Sequence, residues 1–209
     1  MKEPADYNNS VFVNCPFDDD YQLLFRAMIF TIYRCGFTPK SALAEDDGLD
    51  NRIDKLTGII EHCRYGIHDI SRTELNAIKL PRFNMPFELG IYYGAKRFGN
   101  KIQKGKSALI LEREKYLYQK YISDINGVDT KAHENDPVTL IRKVRDWLKT
   151  QSKRTSIPGS ATIIQDYGEF VANLPAACKA LGFDEDNILF NDFCTSVEES
   201  IRAKQKFQS

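Results

Sequence analysis

The strongest constraint on what this chain can fold into is an alternation. Short β-branched or aromatic runs, closed by proline or polar residues, take turns with longer stretches whose apolar residues recur at helical spacing. Val11 to Phe17 reads as a buried strand ending at Pro16 and the aspartates Asp18, Asp19 and Asp20. From Tyr21 onward, Leu24, Ala27, Met28, Thr31, Ile32 and Cys35 share one helix face, with Asp18 to Asp20 as N-caps and Gly36 as the C′ residue. Phe37 to Leu43 predicts a second strand, which Pro39 restricts to an edge, followed by an acidic loop from Ala44 to Asp50. Ile53, Leu56, Ile59, Ile60 and Cys63 mark a second helix, and Tyr65 to Ser71 a third strand. After a loop over 72–82, Pro86 is the expected first residue of a helix bearing Phe87, Ile91, Ala95 and Phe98 and closed by Gly99. Ser107 to Leu111 is the fourth strand-like run.

Near-continuous apolar strands separated by helices are what a parallel sheet needs, because each crossover must return the chain to the same end and cover a face. The expected architecture is therefore α/β, with a parallel sheet of four to five strands and helices on both faces. Tyr116, Tyr118 and Tyr121 read as core or pocket wall, and Asn126-Gly127 as a turn. Asp136-Pro137 starts a helix carrying Leu140, Ile141, Val144, Trp147 and Leu148. Residues 151–160, with Pro158-Gly159, resemble a solvated linker, and the basic run Lys149 to Arg154 belongs with it. Two helical patterns follow, over Ile163 to Leu174 and Phe190 to Ile201, which divides the chain into an α/β domain over 1–150 and a C-terminal helical appendage over 151–209.

Composition removes several function classes. Twenty-nine basic residues balance twenty-nine acidic ones, so no global field draws the chain to nucleic acid or anionic lipid. The polar start lacks the pattern of a signal peptide or membrane span, which predicts a cytoplasmic protein without membrane attachment. The five cysteines form no CxxC pair and read as buried reduced thiols, and His62, His68 and His133 have no zinc-binding spacing. Asp18 to Asp20 read as caps rather than a metal site, so no metal and no resident cofactor is expected. Neither GxGxxG nor GxxxxGK[ST] occurs, which removes a dinucleotide Rossmann site and a P-loop.

In an open parallel sheet, ligands bind at the carboxyl ends of the strands. This brings Asn14 to Asp20, Asp69 to Arg72 and Asn84 to Glu88 toward one crevice. With Pro86 as first helical residue, Glu88 stands third in the helix, where a glutamate commonly folds back on the N-cap amide. The same position, near Phe87 and Tyr92, suits a carboxylate that attacks or stabilises a cationic sugar carbon.

The segment Glu88-Leu89-Gly90-Ile91-Tyr92-Tyr93-Gly94-Ala95-Lys96, preceded by a strand ending Asp69-Ile70-Ser71, resembles the nucleoside 2-deoxyribosyltransferase family. It is also similar to Toll/interleukin-receptor (TIR) domains, which share a flavodoxin-like fold and use a glutamate in NAD cleavage. The likeness runs from about Val11 to Leu111. It implies a flavodoxin-like fold, Glu88 as the catalytic carboxylate, and substrate contacts from Asn14, Pro16, Phe17, Asp69, Ser71, Arg72, Asn84, Met85 and Tyr92. Where the transferases often carry an acidic residue just before the nucleophile, this chain has Arg82 and Asn84, which leaves hydrolysis and simple nucleotide binding open beside transfer. Nicotinamide is already cationic while it is bound in NAD, so one carboxylate suffices there, and Arg72, Lys79 or Arg82 would receive phosphates. The implied function is cleavage of an N-glycosidic bond in NAD or a nucleoside phosphate, as in bacterial antiviral defence. A non-catalytic nucleotide sensor or an interaction module is the alternative. The expected partners are a nucleotide and a second copy or partner protein.

Overall fold

A computed structural model describes residues 3–44, 47–49, 51–72, 82–185 and 187–206. Lys79, and parts of the loops expected over 44–50 and 72–82, lie outside the described residues. Among the described residues, β1 (Ser10–Asn14), β2 (Thr38–Lys40), β3 (Tyr65–Asp69), β4 (Ser107–Glu112) and β5 (Lys131–Ala132) form one parallel sheet in the order β2-β1-β3-β4-β5. This is the flavodoxin-like order, in which the chain reverses its direction of travel between β1 and β3. Helices α1 (Gln22–Arg34), α2 (Arg52–Glu61) and α3 (Asn84–Phe98) make the crossovers up to β4, and α4 (Pro137–Ser152), α5 (Ser160–Leu181) and α6 (Phe190–Lys206) follow β5. None of these helices is long and apolar enough to cross a membrane.

Period-two alternation divides the core. Val11, Val13, Tyr65, Ile67, Leu109 and Leu111 face α1 and α4, while Phe12 faces Leu56, Ile59, Ile60 and Tyr92 on α2 and α3. Pro39 sits in the outermost strand, where its missing N–H costs no ladder bond. Asp136 caps α4 by accepting from the N–H groups of Val138 and Thr139, with Pro137 at the first helical position. Gly36 takes φ +78° to close α1, as its C′ position requires. All five cysteines are buried free thiols.

Three expectations change. Helix α3 begins at Asn84, two residues before Pro86, and its first backbone bond runs from Phe87 N–H to the Phe83 carbonyl. Pro86 is harmless there because the first-turn N–H groups have no intrahelical partner in any case. Secondly, residues 151–160 are not a loose linker. α4 extends to Ser152, Ile157 is buried, and the Arg154 guanidinium stacks 3.9 Å from the Phe37 ring centre while bonding the Gly36 carbonyl. Thirdly, α5 and α6 share one apolar core with α1 and α4 through Ile163, Phe170, Leu174, Phe193 and Val197. Asp166 of α5 adds ion pairs to Arg34 of α1, at 2.7 Å, and to Lys204 of α6.

Candidate active site

Parallel pairing puts Asn14 beside His68 at the carboxyl ends of β1 and β3, on the face covered by α3. The Asn14 amide Nδ2 lies 2.8 Å from the Met85 carbonyl and 3.0 Å from His68 Nδ1. A carbonyl can only accept, so the Asn14 group beside it is the amide nitrogen, and His68 Nδ1 accepts its second hydrogen. The His68 proton therefore resides on Nε2, which is buried without a hydrogen-bond partner. Burial, then the Lys106 charge, lowers the His68 pKa to about 3, so the ring stays neutral. Asn14 thus clamps the first turn of α3 to the sheet and keeps only its amide oxygen for a ligand.

One turn beyond Met85, Glu88 reaches a cleft of about 470 Å³ lined by Asn14, Cys15, Pro16, Phe17, Asp18, Arg52, Arg82, Asn84, Met85 and Glu88. With α3 starting at Asn84, Glu88 stands fifth in the helix and no longer in the capping-box position. Among the described residues, the charged group it meets is Arg52, at 3.9 Å. Burial raises the Glu88 pKa, and the Arg52 guanidinium offsets only part of that rise. Asp18 on the opposite wall is held by Arg82 at 2.7 Å and by Arg72 at 3.1 Å. Beneath the cleft, burial, followed by the nearby Asp69, Glu88 and Asp18 carboxylates, pushes the Cys15 thiol well above its usual range. Cys15 is therefore a neutral floor and not a nucleophile.

Asp69 and Ser71, expected at the ligand, lie in a separate buried network. Asp69 Oδ2 accepts from the Tyr21 hydroxyl at 2.5 Å and lies 3.0 Å from His133 Nε2, while Oδ1 accepts from the Ser71 N–H at 2.9 Å. His133 Nδ1 accepts from the Asn135 N–H at 3.0 Å, which places the imidazole proton on Nε2. Ser71 Oγ lies 2.9 Å from that same Nε2. A serine and an aspartate on one ring nitrogen do not make a proton relay, which needs one on each. Burial raises the Asp69 pKa, but the bonds from His133, Ser71 and Tyr21 outweigh it and hold the carboxyl below its ordinary value. The network fastens the start of α1, the end of β3 and the segment after β5 together.

The cleft therefore gathers six of the expected residues: Glu88, Asn14, Pro16, Phe17, Asn84 and Met85. Arg72 stands beside it, paired to Asp18 and, at 3.6 Å, to Asp20. Tyr92 faces away from it. Its hydroxyl donates to the Arg64 and Ser107 carbonyls at 2.7 and 3.0 Å, at the opposite end of the sheet. Sequence reasoning missed Arg52, whose place at the start of α2 was visible but whose approach to Glu88 depends on how α2 and α3 pack. It also missed His68 and His133, which carry no motif. Among the described residues, no group of three His, Cys, Asp or Glu side chains is placed to hold a metal ion. No family model, curated protein or solved structure matches the chain.

Proposed function

We propose that the chain cleaves the N-glycosidic bond of a nucleotide, with Glu88 as the carboxylate at the anomeric carbon and NAD the favoured substrate class. The observation that carries the reading is Glu88 itself. It is a largely buried carboxylate, released from capping, at the strand-end cleft of a flavodoxin-like sheet, with a raised pKa and one long contact to Arg52. Such a group stabilises the oxocarbenium-like transition state better in a partly dehydrated site than in water.

The other cleft residues favour a leaving group that departs without a proton. Among the described residues, Asp18 is the other carboxyl in the cleft, and it is committed to ion pairs with Arg72 and Arg82. A cationic base such as nicotinamide needs no acid. The C1′–N bond breaks, its electron pair neutralises the pyridinium, and Glu88 balances the charge left on C1′. Water then adds at C1′ and loses a proton. Arg52, largely exposed, and Arg82 flank the cleft as phosphate donors, and the Asn14 amide oxygen accepts from a sugar hydroxyl.

The test is mass-spectrometric detection of free base after incubating concentrated protein with NAD and a panel of nucleosides and nucleotides, beside Glu88→Gln. Release of nicotinamide that vanishes in the variant is the expected result. Release that survives Glu88→Gln overturns the role of Glu88. Nucleotide binding without release from any compound would assign the cleft to sensing.

A further inference from the structure

Helix α3 has an outer face that the described residues of its own chain leave bare. Phe87 is 60 % exposed and Phe98 91 %, with Phe83 just before the helix at 62 % and Tyr93 on the flank at 47 %. From Asn84 to Ala95 the exposed positions are Asn84, Phe87, Gly90 and Tyr93, none of them charged, and the exposed charges Lys96 and Arg97 come only in the last turn. A helix facing water ordinarily carries its charges there, and one that is apolar all round is ordinarily covered.

The two glycines sharpen this. Gly90 and Gly94 lie one turn apart on the same face as Phe87 and Phe98, neither has positive φ, and a Cβ at either would meet nothing within 4 Å. Each costs about 1 kcal/mol of helix stability relative to alanine. Neither backbone conformation nor packing within the described chain calls for them. They leave a shallow saddle between two aromatic ridges, the shape that admits another helix backbone.

We propose that this face seats a second copy of the chain, whose α3 packs antiparallel across it about a two-fold axis near Tyr92 and Tyr93. The residue pattern reads nearly the same from both ends: Phe87 falls opposite Phe98 of the second copy, and Gly90 opposite its Gly94. Self-complementarity of this kind is what an isologous interface requires. Charge favours the antiparallel arrangement, which opposes the dipoles and keeps the two basic ends, at Lys96 and Arg97, apart. A parallel pair would stack the two basic ends. The four exposed rings offer roughly 500 Å² per copy, or about 1,000 Å² over the pair, the lower bound for a specific interface.

Sedimentation velocity of the full chain between about 1 and about 100 µM tests this without reference to catalysis. The wild type is expected at twice 24.0 kDa, and Gly94→Arg is expected to weaken the dimer roughly 30-fold or more while its circular dichroism stays native. Phe98→Asp provides a second variant at a side chain that contributes little to the core, should the first fail to fold. A wild type that stays monomeric throughout overturns the proposal, as does a dimer whose affinity neither variant changes. Orientation is read by disulfide formation, the native thiols being buried. Mixed Phe87→Cys and Phe98→Cys chains are expected to link, whereas Phe87→Cys alone is not, its two copies lying about 16 Å apart along the helices. Self-linking of Phe87→Cys refutes the antiparallel arrangement.

Discussion

Replacing Asp69 by asparagine tests whether the buried network at the end of β3 is a strut of the fold. The carboxylate accepts from three donors: the Tyr21 hydroxyl, the Ser71 N–H and His133 Nε2. An asparagine has one oxygen and one NH2 group. With the NH2 at the Oδ1 position it faces the Ser71 N–H, donor to donor. Turned the other way it faces His133 Nε2–H, and the imidazole has no escape by changing tautomer because Nδ1 already accepts from the Asn135 N–H. Either way one buried donor loses its carboxylate acceptor, His133 Nε2–H keeping at most Ser71 Oγ at 2.9 Å, at about 1–3 kcal/mol, and the remaining bonds lose their charge assistance. The expected loss is about 2–4 kcal/mol, a large share of the stability of an ordinary domain. Urea unfolding followed by the fluorescence of the single tryptophan, Trp147, measures it. The pH dependence supplies a second check. Because the folded state holds the Asp69 carboxyl below its ordinary value, the stabilisation is fully present above about pH 4 and is lost as pH falls through the folded value. The gap between wild type and variant therefore narrows below about pH 4. A loss under about 0.5 kcal/mol at neutral pH, or a gap that stays constant into acid, would refute the reasoning.

Further outcomes follow from the same contacts. The acid limb of kcat/KM for base release is expected above the ordinary glutamate range, since burial raises the Glu88 pKa and activity falls as pH drops through it; pH–rate profiles measure this. Tyr92→Phe is expected to lower stability by about 1–2 kcal/mol, from the lost bonds to the Arg64 and Ser107 carbonyls, and to leave nucleotide affinity unchanged in calorimetry. At Gly66→Ala the new Cβ would lie 2.8 Å from His68 Nε2 and from the Tyr92 ring, so a destabilisation of about 1–3 kcal/mol is expected in thermal or urea unfolding. Asp166→Ala strands the Arg34 and Lys204 charges and is expected to cost about 1–3 kcal/mol, with α5 and α6 exchanging amide hydrogens faster.

Much of the fold was legible from local signals. The change between strand-like runs and helical spacing identified four strands and their crossovers, Pro39 marked an edge, and Asp136-Pro137 marked a helix start. Each of these signals acts within a few residues. β5 escaped because two residues carry no period. The start of α3 was misplaced because proline fits any of the first positions of a helix equally well. The site was legible in part, through the rule that ligands meet parallel sheets at their carboxyl ends.

By itself, then, the sequence determined the layers, the sheet end where ligands bind in such folds and a small set of polar residues near it, because periodicity, capping and turn chemistry are properties of neighbouring residues. The tertiary structure decided what each of those residues does. Asp69 and Ser71 became buried struts through His133, some sixty positions away, as Ser71 and His133 are separated by 62 residues. Tyr92 was committed to the opposite end of the sheet by two carbonyls, and Glu88 was left to face the cleft with Arg52 brought in from another helix. The physical reason is that burial and hydrogen-bond pairing are set by segments meeting in space, and such meetings leave no local period to read.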